Sequence, residues 1–97
     1  MSRNRFVVCY DVRDPARLRR THQAMLGFGD PLQYSVFLCE LSRAERVLME
    51  RALRQVAVLR EDSIIVVDLG PARGVAAKRI VELGVGRVPR PERGLIV

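Results

Sequence analysis

The sequence contains no tryptophan, and only 5% of its 97 residues are aromatic. A chain with so few aromatic rings is poorly suited to recognition built mainly on stacking against bases. Histidine occurs once, at His22. The sequence also lacks a Walker phosphate loop, a dinucleotide glycine fingerprint, a zinc-ligand spacing and a Ser/His/Asp arrangement. These absences exclude most nucleotide-hydrolysing, redox and acyl-transfer functions.

Cysteine is scarce as well. Cys9 and Cys39 are too far apart for a zinc pattern, and each lies in an apolar, strand-like run. They are predicted to be buried thiols in a reduced compartment, and the alternative is a disulfide between neighbouring strands. No apolar run is long enough to cross a membrane, and the N-terminus lacks a signal-peptide core. A cytoplasmic protein with no membrane partner is therefore expected.

Arginine is what the sequence has in excess. The formal net charge is +6, from 17 basic and 11 acidic residues, and Lys78 is the single lysine. Because the guanidinium fork matches phosphate in two-point contacts, a nucleic-acid partner is predicted. The alternative is an arginine preference inherited from the base composition of the source. The length predicts one domain, small enough that sharing a core with a partner subunit would help it.

The first apolar run, residues 6–12, predicts a buried strand that carries Asp11 to its carboxyl end. Asp14 and Pro15 are an N-cap and a first-turn proline, so a helix is expected to follow at once. The buried face of this helix is predicted to contain Leu18, His22, Met25 and Leu26. The glycines and proline of residues 27–31 are expected to end the helix.

A second set of elements is predicted from residue 32 onward. Residues 32–41 are strand-like, and a turn near Ser35 is expected to divide them into two strands. Ser42 and Glu45 form a capping box that starts a second helix. The buried stripe of that helix is predicted to contain Leu48, Met49, Ala52, Leu53 and Val56.

The last apolar segments are shorter and are separated by glycine, proline and arginine. Residues 63–69 predict a strand covered on both faces, because its apolar centre is continuous. Residues 78–83 and 94–97 predict two further short strands. The basic stretch between them suits a C-terminus that reaches across to a partner subunit.

The predicted element order is that of an α+β, ferredoxin-like βαββαβ sandwich with an extra C-terminal strand. Residues 1–70 would form its core, and residues 71–97 would form a C-terminal extension that packs on a partner. If the first two strands are parallel, one end of the sheet collects a set of polar and aromatic residues. This set comprises Asp11, Arg13, Arg17, Ser35, Phe37 and Asp62.

Asp11 is the candidate metal ligand of this end. One carboxylate is a poor magnesium site, and a two-fold dimer would supply a second from its symmetry mate. The alternative is a solvated acid, or an acid paired with Arg13 or Arg17. For His22, packing or hydrogen bonding is favoured over catalysis. Tyr10 alternates with Asp11, so core packing is weighed against a hydroxyl that reaches the rim.

Three segments resemble the second CRISPR-associated protein family, the small universal subunit of spacer acquisition. They are Val-Val-Cys-Tyr-Asp-Val at residues 7–12, Gln-Tyr-Ser-Val-Phe-Leu-Cys-Glu-Leu-Ser at residues 33–42, and Glu-Asp-Ser-Ile-Ile at residues 61–65. Leu18, Arg19 and Arg20 match the helix of that family. Together these matches cover about the first seventy residues at the right spacings.

The resemblance implies a homodimer whose C-terminal strands extend the partner's sheet, with Asp11 of each subunit at a Mg²⁺ site in the dimer cleft. It also implies a nuclease acting on RNA or duplex DNA, and a subunit that bridges dimers of a larger integrase. The catalytic residues it implies are Asp11, Tyr10, Ser35 and Phe37. The nucleic-acid-binding residues are predicted to be Arg13, Arg17 and Arg20.

Two functions therefore remain open. In the first, paired Asp11 carboxylates hold Mg²⁺ for phosphodiester cleavage, and Arg13 or Arg17 offsets charge in the transition state. In the second, the dimer is a scaffold that binds DNA through phosphates and docks the integrase, with no chemistry at Asp11. A ferredoxin-like RNA-binding or regulatory protein outside CRISPR systems is a third, less favoured alternative.

Overall fold

The computed structural model describes residues 2–85. Its elements are β1 (Asn4–Asp11), α1 (Pro15–Leu26), β2 (Gly29–Gln33), β3 (Val36–Leu41), α2 (Arg43–Val56), β4 (Ser63–Pro71) and a short 3₁₀ turn (Val75–Lys78). The four strands form one sheet in the order β2-β3-β1-β4, and each neighbouring pair is antiparallel. The predicted ferredoxin-like α+β fold is confirmed.

One face of the sheet carries the hydrophobic core. Phe6, Val8 and Tyr10 alternate along β1 and are all buried, so they point to the same side. Met25 of α1 and Met49 of α2 belong to the same buried cluster. Both helices therefore pack on this face, and within residues 2–85 the other face of the sheet has no helix.

Helix α1 begins as the sequence predicts. The Asp14 side chain accepts a hydrogen bond from the Arg17 backbone N–H at 2.9 Å, and Pro15 occupies the first turn. The predicted buried face was partly wrong, because Leu18 and Leu26 are 36% and 46% exposed. The fully covered residues are Thr21 and Met25, which form a narrow column four residues apart.

The division of residues 32–41 near Ser35 is confirmed, because β2 and β3 form a hairpin around Tyr34 and Ser35. Strand β2 begins at Gly29, inside the segment that was expected to end helix α1. A Cβ atom at Gly29 would clash with the Leu38 carbonyl oxygen and with Cys39, so only glycine allows this close approach. Pro31 is accommodated because β2 is an edge strand.

Helix α2 starts with the predicted capping box. The Ser42 N–H donates to Glu45 Oε1 at 2.8 Å, and the Glu45 N–H donates to Ser42 Oγ at 3.2 Å. Met49 and Leu53 are buried as expected. Leu48 is 53% exposed, so the predicted stripe was too wide on that side.

Strand β4 is covered on one face. Ile64 and Val66 pack against the core, whereas Ile65 and Val67 are 56% and 43% exposed. Within residues 2–85 the expectation of two covered faces was wrong, because both helices lie on the same side of the sheet. β4 is also an edge strand.

Beyond β4 the predicted strand at residues 78–83 is absent. The chain forms the 3₁₀ turn Val75–Lys78 instead, with Ala76 buried, and residues 79–85 contain no strand or helix. The predicted strand at residues 94–97 lies outside the described residues, as do all residues of the predicted C-terminal extension from 86 onward. The division between a core and an extension at residue 70 stays a prediction.

Both cysteines are free thiols, as predicted. Cys39 lies opposite Phe6 on the helix-covered face, whereas Cys9 lies opposite Val36 on the other face. Because the sheet separates the two side chains, a disulfide between them is excluded. No helix in residues 2–85 is long and apolar enough to span a membrane.

Candidate active site at the carboxyl end of strand β1

Asp11 is the last residue of β1 and is exposed. It alternates with the buried Tyr10 and therefore points to the helix-free face of the sheet. Within residues 2–85 its carboxylate makes no hydrogen bond or ion pair, and Arg17 pairs with other acids. The alternative of an Asp11 ion pair with Arg13 or Arg17 is therefore not observed.

Asp62, which precedes β4, is the second acid at this end, and its side chain is completely buried. Its Oδ1 accepts hydrogen bonds from the Arg13 N–H at 3.1 Å and from Arg17 Nη2 at 3.0 Å. Its Oδ2 accepts from Arg17 Nε and from the Val58 N–H, both at 2.9 Å. The Arg17 guanidinium holds the pKa of the Asp62 carboxyl well below its usual range.

Arg17 is committed to this arrangement. Its guanidinium also donates to Glu61 at 3.1 Å, and its side chain is only 15% exposed. The bond to Asp62 raises the pKa of Arg17 above its ordinary value. The predicted phosphate contact by Arg17 stays a prediction, and in the structure its guanidinium is paired with the carboxylates of Asp62 and Glu61. Arg13 and Arg20, by contrast, are exposed and form no ion pair within residues 2–85.

Tyr10 and Phe37 lie in the core, with exposures of 6% and 0%. Their rings stack with centroids 6.2 Å apart, and the Tyr10 hydroxyl lies 3.3 Å from Nδ1 of His22. Burial raises the pKa of Tyr10 to about 12, so its hydroxyl stays protonated at neutral pH. The predicted catalytic roles of Tyr10 and Phe37 stay predictions, and in the structure both rings belong to the core on the helix-covered face of the sheet. His22 has the packing and hydrogen-bonding role that was favoured for it.

Ser35 lies beside the end of β1. Its carbonyl oxygen accepts a hydrogen bond from the Tyr10 N–H at 3.0 Å, which brings the β2–β3 turn next to Asp11. Ser35 has a φ of 65°, the left-handed region that non-glycine residues rarely adopt. The predicted rim thus brings Asp11, Arg13, Ser35 and Asp62 to one end of the sheet.

The metal-binding capacity of this end is limited to what Asp11 offers. No group of three or more His, Cys, Asp or Glu side chains that could hold a metal occurs within residues 2–85. Mg²⁺ commonly takes one or two carboxylates and completes its shell with water and phosphate oxygens. Asp11 fits as one such ligand, and the rest of the shell would come from outside this chain.

Within residues 2–85, the helix layer carries much of the unpaired positive charge. Several exposed arginines form neither an ion pair nor a side-chain hydrogen bond within this part of the chain. They are Arg13, Arg19, Arg20, Arg43, Arg51, Arg54, Arg60 and Arg73. Most of them belong to α1 and α2, so the outer surface of the helices is strongly basic.

The model of the family described as "CRISPR associated protein Cas2" matches residues 4–73, from the start of β1 to just past β4. The chain belongs to the Cas2 family. The resemblance of residues 7–12, 33–42 and 61–65 is thereby confirmed. All candidate site residues of this Cas2 family member lie within the matched segment.

Individual relatives agree with this assignment. A CRISPR-associated endoribonuclease Cas2 of Geobacter sulfurreducens is 42% identical over 73 residues, covering 75% of this chain and 77% of the relative. Another, from Nitrosomonas europaea, is 36% identical over 90 residues, covering 90% and 76%. The crystal structure of Streptococcus pyogenes Cas2 at pH 6.5 superposes with a TM-score of 0.71 at 33% identity, covering 82% and 99% of the two chains. A hypothetical protein from Thermus thermophilus gives a TM-score of 0.73 at 26% identity, covering 90% and 98%.

Proposed function

We propose that this Cas2 family member acts in CRISPR spacer acquisition as a homodimer that cleaves nucleic acid with Mg²⁺ at a pair of Asp11 carboxylates. The observation that carries the proposal is the placement of Asp11. Its carboxylate is exposed, bonded to nothing within residues 2–85, and directed to the uncovered face of the sheet. Relatives named CRISPR-associated endoribonucleases support RNA as one substrate.

The uncovered sheet face supports the homodimer. Ile65 and Val67 are 56% and 43% exposed, and Val7 beside them is only partly buried. Exposed neighbouring apolar side chains on a sheet face mark an interaction surface. A two-fold dimer buries such a patch against its own copy, which also enlarges the core of a small domain.

The position of Asp11 on the uncovered sheet face also supports pairing of the two Asp11 carboxylates of a dimer. Asp11 shares the uncovered face with Cys9 and lies opposite Ser63, at the border of the apolar patch. A two-fold axis near this end of the sheet would bring each Asp11 close to its symmetry mate. The dimer would then offer Mg²⁺ two carboxylates where one chain offers one.

The remaining residues of the site have supporting roles in this proposal. Mg²⁺, when bound, supplies charge stabilisation at the phosphoryl oxygens and a more acidic water. Asp11 holds the ion, and the exposed Arg13 guanidinium offsets charge that builds on the phosphate. The Ser35 hydroxyl, from the neighbouring turn, donates a hydrogen bond to the substrate. Arg20 contacts the phosphate backbone away from the reacting bond.

The charge distribution favours a second candidate function. The helices α1 and α2 carry several exposed, unpaired arginines, whereas the site has one exposed acid, Asp11. A dimer with two such helix layers would hold duplex DNA through its phosphates while docking a CRISPR integrase. In this scaffold, Asp11 has no chemical role.

One experiment separates the two functions. Purified wild type, Asp11→Asn and Glu40→Gln are assayed for Mg²⁺-dependent cleavage and for binding of labelled single-stranded RNA and duplex DNA, with EDTA as a control. Glu40 is a matched control, because it is an exposed carboxylate near the other end of the same sheet. Cleavage lost only in Asp11→Asn, with binding retained, supports the nuclease. Binding by all three proteins with cleavage by none supports the scaffold, and an absence of binding contradicts both.

A further inference from the structure

The buried ion pair of Arg17 and Asp62 joins three separate segments. Asp62 and Val58 lie in the loop between α2 and β4, and Arg17 lies in the first turn of α1. The Arg13 N–H, in the loop between β1 and α1, donates to the same carboxylate. No buried side-chain nitrogen or oxygen in the described residues lacks a partner, so this network is fully satisfied.

The network reaches Asp11 from two directions. Along β1, Arg13 is two residues from Asp11, and Val12 between them is buried with 7% exposure. Across the sheet, Asp11 lies opposite Ser63, which follows Asp62 in the chain. A shift of the Asp62 carboxylate therefore acts on Arg13 and on Ser63, which lie on two sides of Asp11.

We propose that Asp62 and Arg17 are positioning residues for the Asp11 site, acting through the Arg13 backbone N–H. The proposal rests on the proposed nuclease function, and it gives the buried pair a task beyond stability. The Asp11 carboxylate forms no bond within this part of the chain, so its location depends on the backbone that carries it. Displacements of about 1 Å at such groups cost roughly 100-fold in rate.

The chemistry of the pair predicts what each substitution does. Each of the two Asp62 carboxylate oxygens accepts two hydrogen bonds. In Asp62→Asn an NH₂ group replaces one oxygen, and it faces two N–H donors whichever way the amide is turned. Arg17→Lys keeps the positive charge but loses the two-point fork. Glu61→Gln is the matched control, because Glu61 also bonds to Arg17 but is 52% exposed and, within residues 2–85, its carboxylate forms no hydrogen bond to Arg13.

The test uses full-length protein at a temperature where every variant is folded by circular dichroism. Hydrogen exchange of the Arg13 amide and the Mg²⁺ dependence of the Asp11 carboxyl ¹³C signal are measured by NMR, together with cleavage. Asp62→Asn is expected to speed Arg13 exchange relative to that of Val8, to raise the Mg²⁺ concentration needed for half-saturation, and to slow cleavage by roughly 10- to 100-fold. Arg17→Lys is expected to show the same changes at smaller size. Glu61→Gln should stay within about 2-fold of wild type, as surface ion pairs contribute little.

Two results would overturn the proposal. The first is an Asp62→Asn variant whose Arg13 exchange, Mg²⁺ response and cleavage rate all equal those of wild type. If Asp62→Asn does not fold, the same result in Arg17→Lys counts. The other is a Glu61→Gln variant as impaired as Asp62→Asn. Failure of the nuclease proposal looks different, since wild type itself would then neither bind Mg²⁺ at Asp11 nor cleave. In that case unchanged Arg13 exchange and an unchanged Asp11 ¹³C signal in Asp62→Asn still overturn the positioning role, whereas altered values support it.

Discussion

Asp11 lies directly opposite Ser63 where β1 ends and β4 begins, so an exposed acid faces the residue that follows the buried acid Asp62. The two carboxylates share one end of the sheet but differ in every other respect. Asp62 is bonded to Arg17 and to two backbone N–H groups, whereas Asp11 has no bonded partner in residues 2–85. One acid is therefore part of the framework, and the other is available to a ligand.

The uncovered sheet face is expected to hold the dimer together. Ile65→Asp places a charge in the centre of this apolar face and should convert the dimer to monomer, as measured by light scattering after size-exclusion chromatography. Val47→Asp is the matched control, because Val47 is 53% exposed on α2 against 56% for Ile65. Equal masses for Ile65→Asp and wild type would contradict the assignment of this face.

The left-handed backbone conformation of Ser35 is expected to lower the free energy of unfolding. A left-handed conformation costs a non-glycine residue about 1–2 kcal/mol, and glycine loses about 0.5–1 kcal/mol in chain entropy, so Ser35→Gly should stabilise the fold by roughly 0.5–1 kcal/mol in urea unfolding. Ser35→Ala keeps the strain and removes the hydroxyl. If the hydroxyl assists cleavage, both variants lose activity while only the glycine variant gains stability. A destabilised Ser35→Gly would show that the turn is not strained.

Tyr10 is expected to act in the core alone. Tyr10→Phe removes the hydroxyl near His22 and should cost about 1 kcal/mol of stability without changing cleavage. Phe37→Ala should cost about 3–5 kcal/mol, because it empties a fully buried site. Thermal unfolding and cleavage assays on the same samples check both. Loss of cleavage in a folded Tyr10→Phe variant would return Tyr10 to the active site.

Acid sensitivity is expected to depend on Glu45. Hydrogen bonds from Arg3, and then from the Ser42 N–H, lower the pKa of Glu45 from 4.5 to about 2. Because the unfolded chain takes up this proton at higher pH, the stabilisation is complete above about pH 4.5 and is lost towards pH 2. Glu45→Gln should therefore be less stable than wild type at neutral pH and lose less stability on acidification. Parallel curves for the two proteins, from unfolding midpoints at several pH values, would contradict this.

The helix starts and the faces of β1 could be predicted from the sequence, because they depend on residues that are close together in the chain. Asp14 with Pro15, and Ser42 with Glu45, mark the helix starts by contacts within three residues. The alternation of Phe6, Val8 and Tyr10 with Asp11 likewise predicted which face each side chain takes. These features needed no knowledge of the rest of the chain.

The sequence is least informative where distant segments decide the outcome. Local sequence does not show that Asp62, 45 positions away, pairs with the guanidinium of Arg17. Ile65 and Val67 look doubly buried because apolar character does not show whether a helix covers both faces of a strand. Gly29 belongs to a strand because of its contact with Cys39, which the local glycine pattern does not reveal.

The central claim is that two Asp11 carboxylates, one from each subunit, act on one Mg²⁺. Wild type and Asp11→Asn are unfolded together, refolded at varied ratios and assayed for Mg²⁺-dependent cleavage. If both acids are needed, only dimers of two wild-type chains are active, so activity should fall with the square of the wild-type fraction. A linear decline, or no cleavage by wild type alone, would contradict the paired site.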